Sequence, residues 1–232
     1  MITENEYKLV CEWIHVALGG ENVKWYTFGG CLRDLFKHGH IKNDIDVMIP
    51  SHALAMRVIK FFEKLGVLAQ KSDSEYDDER HIVSIEIYII CREEPIKIDI
   101  NWNHKHTNDF SCNLLCAHNG KLNKLFISNS YGSIKAYEMV FNHIRQSELH
   151  LVKFPTSAKH FIVLYMRHVK MQKKGYVMMD NIFCNVTSNL KLRLDCCGKE
   201  TDILSIDDDD DPTCEQCQKK ILKKNIHMKK KH

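Results

Sequence analysis

Residues 24–28 of this chain are aromatic and β-prone, and they run straight into Gly29-Gly30 and then into a helix-like segment, residues 32–37, that Gly39 closes. Asp44-Ile45-Asp46-Val47-Met48-Ile49 follows, alternating acidic and apolar residues until Pro50 stops it. A strand, a tight glycine turn, a helix and a second strand in that order restrict the chain to folds that layer helices on a sheet.

The flanking segments agree. Thr3-Glu4-Asn5-Glu6 reads as a capping box, with Leu9, Val10, Trp13, Ile14 and Ala17 at helical spacing and a stop at Gly19-Gly20. Ser51 is placed to cap a helix whose apolar stripe includes Leu54, Val58, Phe61, Phe62 and Leu65, ended by Gly66. After an acidic loop, residues 73–79, come two β-rich stretches, 82–91 and 96–101, joined by a hairpin-like turn at 92–95. Residues 131–174 are mainly helical in pattern. The expected class is α+β: a mixed sheet flanked by helices over residues 1–145, a helical extension over 146–190, and a Cys-rich, lysine-tailed segment over 191–232.

The chemistry concentrates on strands. Residues i and i+2 of a strand share a face, so Asp44 and Asp46 point together, toward whatever the glycine turn approaches. Asp99, within Ile98-Asp99-Ile100, supplies a third strand carboxylate. Such carboxylates repel unless a cation joins them, and hard divalent ions such as Mg²⁺ take oxygen ligands while keeping substrate phosphates in their shell. Glycines let a backbone approach those phosphates, the following helix turns its positive end to the anion, and Arg33 on the first turn offers a charged fork.

The stretch YTFGGCLRDLFKHGHIKNDIDVMIP resembles the polymerase-β-like nucleotidyltransferase superfamily, and within it the head domain of poly(A) polymerases and class II CCA-adding enzymes, whose pattern is Gly-Gly-x-x-Arg-Asp followed by Asp-x-Asp. A second family element, Arg-Arg-Asp-Phe-Thr-Ile-Asn-Ala-Leu, is matched in part by residues 107–115, TNDFSCNLL, where the paired arginines are replaced. The lysine-, isoleucine- and asparagine-rich composition is also similar to nucleotidyltransferases of large DNA viruses.

The resemblance implies transfer of an NMP from an NTP to an acceptor hydroxyl by a two-metal mechanism. Asp44, Asp46 and Asp99 would be catalytic and hold Mg²⁺ or Mn²⁺. Gly29, Gly30 and Arg33 would face the triphosphate, and Asp34, in the same nucleotide-binding motif, would orient the turn. Glu86 on the preceding strand competes with Asp99 for the third position, although the alternation around Asp99 fits better. Residues 154–161 lack the Glu-Asp-x-x-Arg element by which CCA-adding enzymes read the incoming base, and 232 residues leave no room for their long tRNA-holding neck, body and tail. An RNA 3′ end is the leading acceptor, with a protein hydroxyl or a small molecule as the others. The alternative is a catalytically inactive nucleotidyltransferase-like module that binds RNA or a partner; a zinc-dependent nucleic-acid-binding protein with the head as scaffold is the third reading.

At the C-terminal end, Cys196-Cys197 and Cys214-x-x-Cys217 have the logic of a small zinc ribbon, with Cys184 or His227 as alternatives to Cys196, so a structural Zn²⁺ is expected there. Seven lysines among residues 219–232 leave the rest of the chain at −4 against a whole-chain +3, a tail that suits either solvent or a polyanion. Ten cysteines without a secretory signal read as thiols or metal ligands, not a disulfide scaffold. No apolar run approaches the roughly 18 residues of a membrane helix, so the expected location is intracellular, cytoplasmic or nuclear. Cys112 and Cys116 read as core thiols, His104 and His106 as exposed, and Trp13, Trp25 and Trp102 as core or cleft residues. Residues 166–174 form a basic, helically spaced face for solvent or RNA.

Overall fold

A computed structural model describes residues 1–20, 22–73, 81–90, 92–102, 109–128, 134–152, 155 and 158–180, together with the short stretches 191–193, 200–202, 213–214 and 219–220. The chain divides into two compact units, Met1–Gln146 and Ser147–His232.

The first unit opens with β1 (Ile2–Thr3) and α1 (Glu4–Ala17). The capping box forms: the Glu6 amide donates to Thr3 Oγ1 at 3.3 Å and the Thr3 amide donates to Glu6 Oε2 at 2.6 Å, so two amides at the helix start are satisfied reciprocally. Then come β2 (Tyr26–Phe28), α2 (Gly30–His38), β3 (His40–Ile41) and β4 (Asp44–Ile49). Ser51 caps α3 (His52–Lys64), its hydroxyl accepting from the Leu54 amide. The strands β5 (Leu68–Asp73), β6 (His81–Ile87) and β7 (Ile96–Trp102) follow, then a 3₁₀ turn at Ser111–Asn113, β8 (Leu115–His118), β9 (Leu125–Ile127) and α4 (Ile134–Gln146).

Seven strands make one sheet in the order β5-β6-β7-β4-β2-β8-β9. The β4–β7 pair is parallel and the other neighbours are antiparallel. Register puts Ile45 beside Ile98 and Ile98 beside Ile85, then Val47 beside Ile100 and Ile100 beside Val83. These residues are at most 4% exposed and form the helix-covered face, with α3 packed on β4 through β7 and against α1. Tyr7, Val10 and Ile14 of α1 and Val58, Ile59 and Phe62 of α3 are fully buried; each large apolar side chain removed from water contributes about 2 kcal/mol. Trp25 is fully buried and Trp102 nearly so, while Trp13 packs edge-on against Phe62. At Gly120, where φ is +66°, a Cβ would run into Cys11 and Trp25, so only glycine closes the β8–β9 turn over α1.

Two expectations change. Strand β5 was not foreseen, and Asp73 pairs within it instead of opening a loop; residues 74–80 of that loop lie outside the described residues. The β-rich stretch 82–91 ends as a strand at Ile87.

In the second unit, β10 (Glu148–Leu149) pairs in parallel with β11 (Val177–Met178) beside α5 (Ala158–Lys173), which carries the basic residues of 166–174 other than Lys174. The Leu151 amide donates to Asp180 Oδ2 at 2.7 Å. Two small antiparallel pairs follow: β12 (Lys191–Arg193) with β13 (Glu200–Asp202), and β14 (Thr213–Cys214) with β15 (Lys219–Lys220). Cys196, Cys197 and Cys217, with Cys184 and His227, lie outside the described residues, as do His104 and His106; Cys214 ends β14. Among the described residues no helix is long and apolar enough to cross a membrane.

Candidate active site

On β4 and β7 the residues that alternate with the buried aliphatic ones face away from α1 and α3. Asp46 stands beside Asp99, Asp44 beside Lys97, and Met48 beside Asn101. Because the two strands are parallel neighbours, spaced about 4.8 Å apart, the three aspartates share one patch of one face, although Asp99 comes from a distant part of the sequence. Glu86, the alternative to Asp99, pairs with Lys97, which separates it from Asp44.

The glycine turn closes over this patch. Gly29 has φ +75° and ψ −132°, a combination essentially confined to glycine, and a Cβ there would stand 3.6 Å from Asp46 Oδ2, so the bare Cα faces that carboxylate. The Gly29 amide donates to Leu115 O at 3.2 Å, fixing the turn to β8, while its carbonyl accepts from the Arg33 amide at 3.2 Å and starts α2. Helix α2 begins with no side-chain cap and no acidic residue in its first turn, which leaves its positive end toward the acidic face.

Burial, followed by the charges of Asp44 and Asp99, holds the Asp46 carboxyl well above the usual carboxylate range. Burial and Asp44 also raise Asp99, against the opposing pull of a hydrogen bond from Ser84 Oγ at 2.5 Å and of Lys97, whose Nζ lies 4.0 Å from Asp99 Oδ1. Three carboxyls are crowded on this face, partly buried, with Lys97 and Arg33 as the opposing charges. An all-oxygen, excess-anionic donor set of this kind fits a hard divalent cation, and Asp44, Asp46 and Asp99 would hold it.

Arg33 is placed differently from the expectation that it faces a triphosphate. Its side chain is 4% exposed; Nε and Nη2 donate to Asp34 Oδ1 at 2.9 and 2.7 Å, and Nη1 donates to Asn113 Oδ1 at 2.6 Å. A Cβ on Gly30 would come within 3.4 Å of Nη2, so the guanidinium lies against the turn. The pair Arg33–Asp34 thus ties the turn and α2 to the 3₁₀ segment. Asn113 and Ser84 were not singled out from sequence; Asn113 stands at the asparagine of the partly matched second element, which was the available signal. Cys31 donates to Phe28 O at 3.1 Å beneath the turn, and burial with the neighbouring Asp46 charge pushes its thiol well up, an inert supporting group. Cys112 and Cys116 are buried thiols, held by burial at about 11 and about 12.

A helix-backed mixed sheet, with carboxylates on the adjacent β4 and β7 and a glycine turn leading into α2, has counterparts of the same fold among solved structures. The chain superposes on a tRNA-processing enzyme with a TM-score of 0.51 at 15% identity, over 77% of this chain and 45% of that one. On the CCA-adding enzyme of Thermotoga maritima, solved in complex with tRNA, the TM-score is 0.50 at 14% identity, over 76% of this chain and 39% of that one. The chain therefore spans less than half the length of either. No family model matches it, and no curated protein does.

Proposed function

We propose that the chain is a metal-dependent nucleotidyltransferase that transfers an NMP from an NTP to an acceptor hydroxyl, with an RNA 3′ end as the acceptor. The observation that carries the reading is the grouping of Asp44, Asp46 and Asp99 on one face of β4 and β7, with the Gly29 backbone against Asp46. The RNA acceptor is supported by the shared fold with a CCA-adding enzyme solved with tRNA.

A divalent ion bound by the three aspartates would supply activation of the attacking hydroxyl and neutralisation of charge on the departing pyrophosphate. The chain's own groups do the rest. The turn at Gly29-Gly30 and the amide end of α2 receive the β- and γ-phosphates, which sets the bond between the α-phosphorus and the departing oxygen in line with the attacking hydroxyl. Asp99 is placed to take the hydroxyl proton as the new P–O bond forms, and the Ser84 hydroxyl, donating to Oδ1, orients the carboxylate for that role. Arg33, Asp34 and Asn113 keep the turn where the phosphates need it.

The test is incubation of the full chain with each labelled NTP, Mg²⁺ or Mn²⁺ and a mixed RNA pool, beside the Asp44→Asn, Asp46→Asn double variant. Label on RNA from the wild type, lost in the double variant, supports the reading. Label on the protein itself moves the acceptor from RNA to a protein hydroxyl. No transfer of any label overturns the enzyme and leaves the binding module.

A further inference from the structure

The row of the sheet that carries Asp99 and Asp46 continues past β4. Phe28, just before Gly29, pairs with Cys116 on β8, and Cys116 pairs with Phe126 on β9. One step further along the strands, Met48 pairs with Tyr26 and Tyr26 with His118. This half of the open face is aromatic. Phe28, Met48 and Cys116 are buried, with Tyr26 and Phe126 packed on them and half-buried. Tyr26 meets Phe126 edge-on at 5.4 Å between centroids, and the exposed His118 ring lies on Phe126 at 4.2 Å and 26°.

An aromatic pair whose outer ring is a solvent-exposed imidazole differs from a core cluster, since one π-face is left for another ring. Its position is equally specific. Strand β4 runs from Asp44 through Asp46 to Met48, about 7 Å per two residues, and β2 runs the opposite way into the glycine turn. Phosphates on Gly29-Gly30, with the α-phosphorus at Asp46, put the nucleoside over Tyr26 and His118. The acceptor hydroxyl, with its proton going to Asp99, comes from the β7 side of Asp46.

We infer that Tyr26, His118 and Phe126 form a stacking platform for the base of the incoming nucleotide, and so contribute to nucleotide selection in a chain without the Glu-Asp-x-x-Arg element. The inference rests on the nucleotidyltransferase reading. Stacking overlap grows with ring size, so the platform favours ATP and GTP over CTP and UTP.

The probe is 2-aminopurine riboside triphosphate, whose fluorescence is quenched by stacking, titrated with Mg²⁺ and without RNA into the full chain, His118→Ala and Tyr26→Leu. His118 is exposed, so its removal leaves the core intact and decides the matter if Tyr26→Leu misfolds. The expected result is quenching by the wild type, with affinity weakened roughly tenfold and quenching lost in His118→Ala. Equal affinity and quenching in wild type and His118→Ala overturn the platform; if Asp46→Asn still weakens binding, the transferase reading stands without it. A probe that the wild type does not bind removes the nucleotide site and the platform together. A loss of RNA affinity in His118→Ala with probe binding unchanged also overturns it, giving the surface to the acceptor.

Discussion

Strands β4 and β7 present two faces built from the same stretches of sequence. Ile45, Val47, Ile98 and Ile100 lie in the core at zero exposure, while Asp44, Asp46 and Asp99, the residues between them, crowd negative charge on the other side. A one-residue shift of register would exchange the faces and bury three carboxylates under α3. The aliphatic face therefore fixes the register that the acidic face needs. Stability resides on one side of a sheet one residue thick, and strain on the other.

Breaking the acidic side has the largest expected effect. Asp46→Asn lowers nucleotidyl transfer by roughly 10³-fold, equivalent to about 4 kcal/mol of barrier, while its melting temperature in EDTA stays level or rises because a crowded charge is gone. A melting temperature that falls along with activity contradicts the division between the faces. Ile98→Ala is the converse, costing about 3 kcal/mol of stability through the cavity it leaves. Urea unfolding measures that loss, and the surviving folded fraction should keep its affinity for the metal within a few fold.

The pH dependence of stability sharpens the comparison further. Burial and the neighbouring charges raise Asp46 and Asp99 above their unfolded values. Their protonated forms therefore favour the folded state: the contribution is fully present below the ordinary carboxylate value of about 4 and is lost as pH rises through the raised folded values. Metal-free protein should thus gain stability from these two groups as pH falls from neutrality toward that range. Thermal melts with EDTA across the interval should show this gain diminished in Asp46→Asn, and Mg²⁺ should supply it at neutral pH. The smallest effect belongs to Ser84→Ala. Loss of its hydrogen bond raises Asp99 further, changes stability by about 1 kcal/mol, and moves the acidic limb of the rate–pH profile upward.

Much of this was legible because it is local. The alternation of Asp44–Ile49, the caps at Thr3 and Ser51, and the Gly29-Gly30 turn are written within a few residues of where they act. What was not legible depends on partners far along the chain. Leu-Ala-Gln-Lys-Ser-Asp has little β propensity, and β5 exists as an edge strand because β6 offers it a free row of backbone groups. Arg33 reads from its neighbours as a fork for phosphate, but an asparagine 80 residues away accepts one of its donors. Cys112 and Cys116, spaced as on a helix, fall on a 3₁₀ turn and a strand, both still in the core.

The parallel register that sets Asp46 beside Asp99 has a kinetic meaning too. Parallel neighbours need a crossover, and between β4 and β7 the chain must first lay down α3 and then the strands β5 and β6. Closing a loop of that length comes late and at an entropic disadvantage. Asp99 therefore joins Asp44 and Asp46 only when β7 pairs with β4, and a nascent chain that ends before Ile96 carries two of the three carboxylates. Capture of a divalent ion would mark the moment at which β4 and β7 pair at the centre of the sheet.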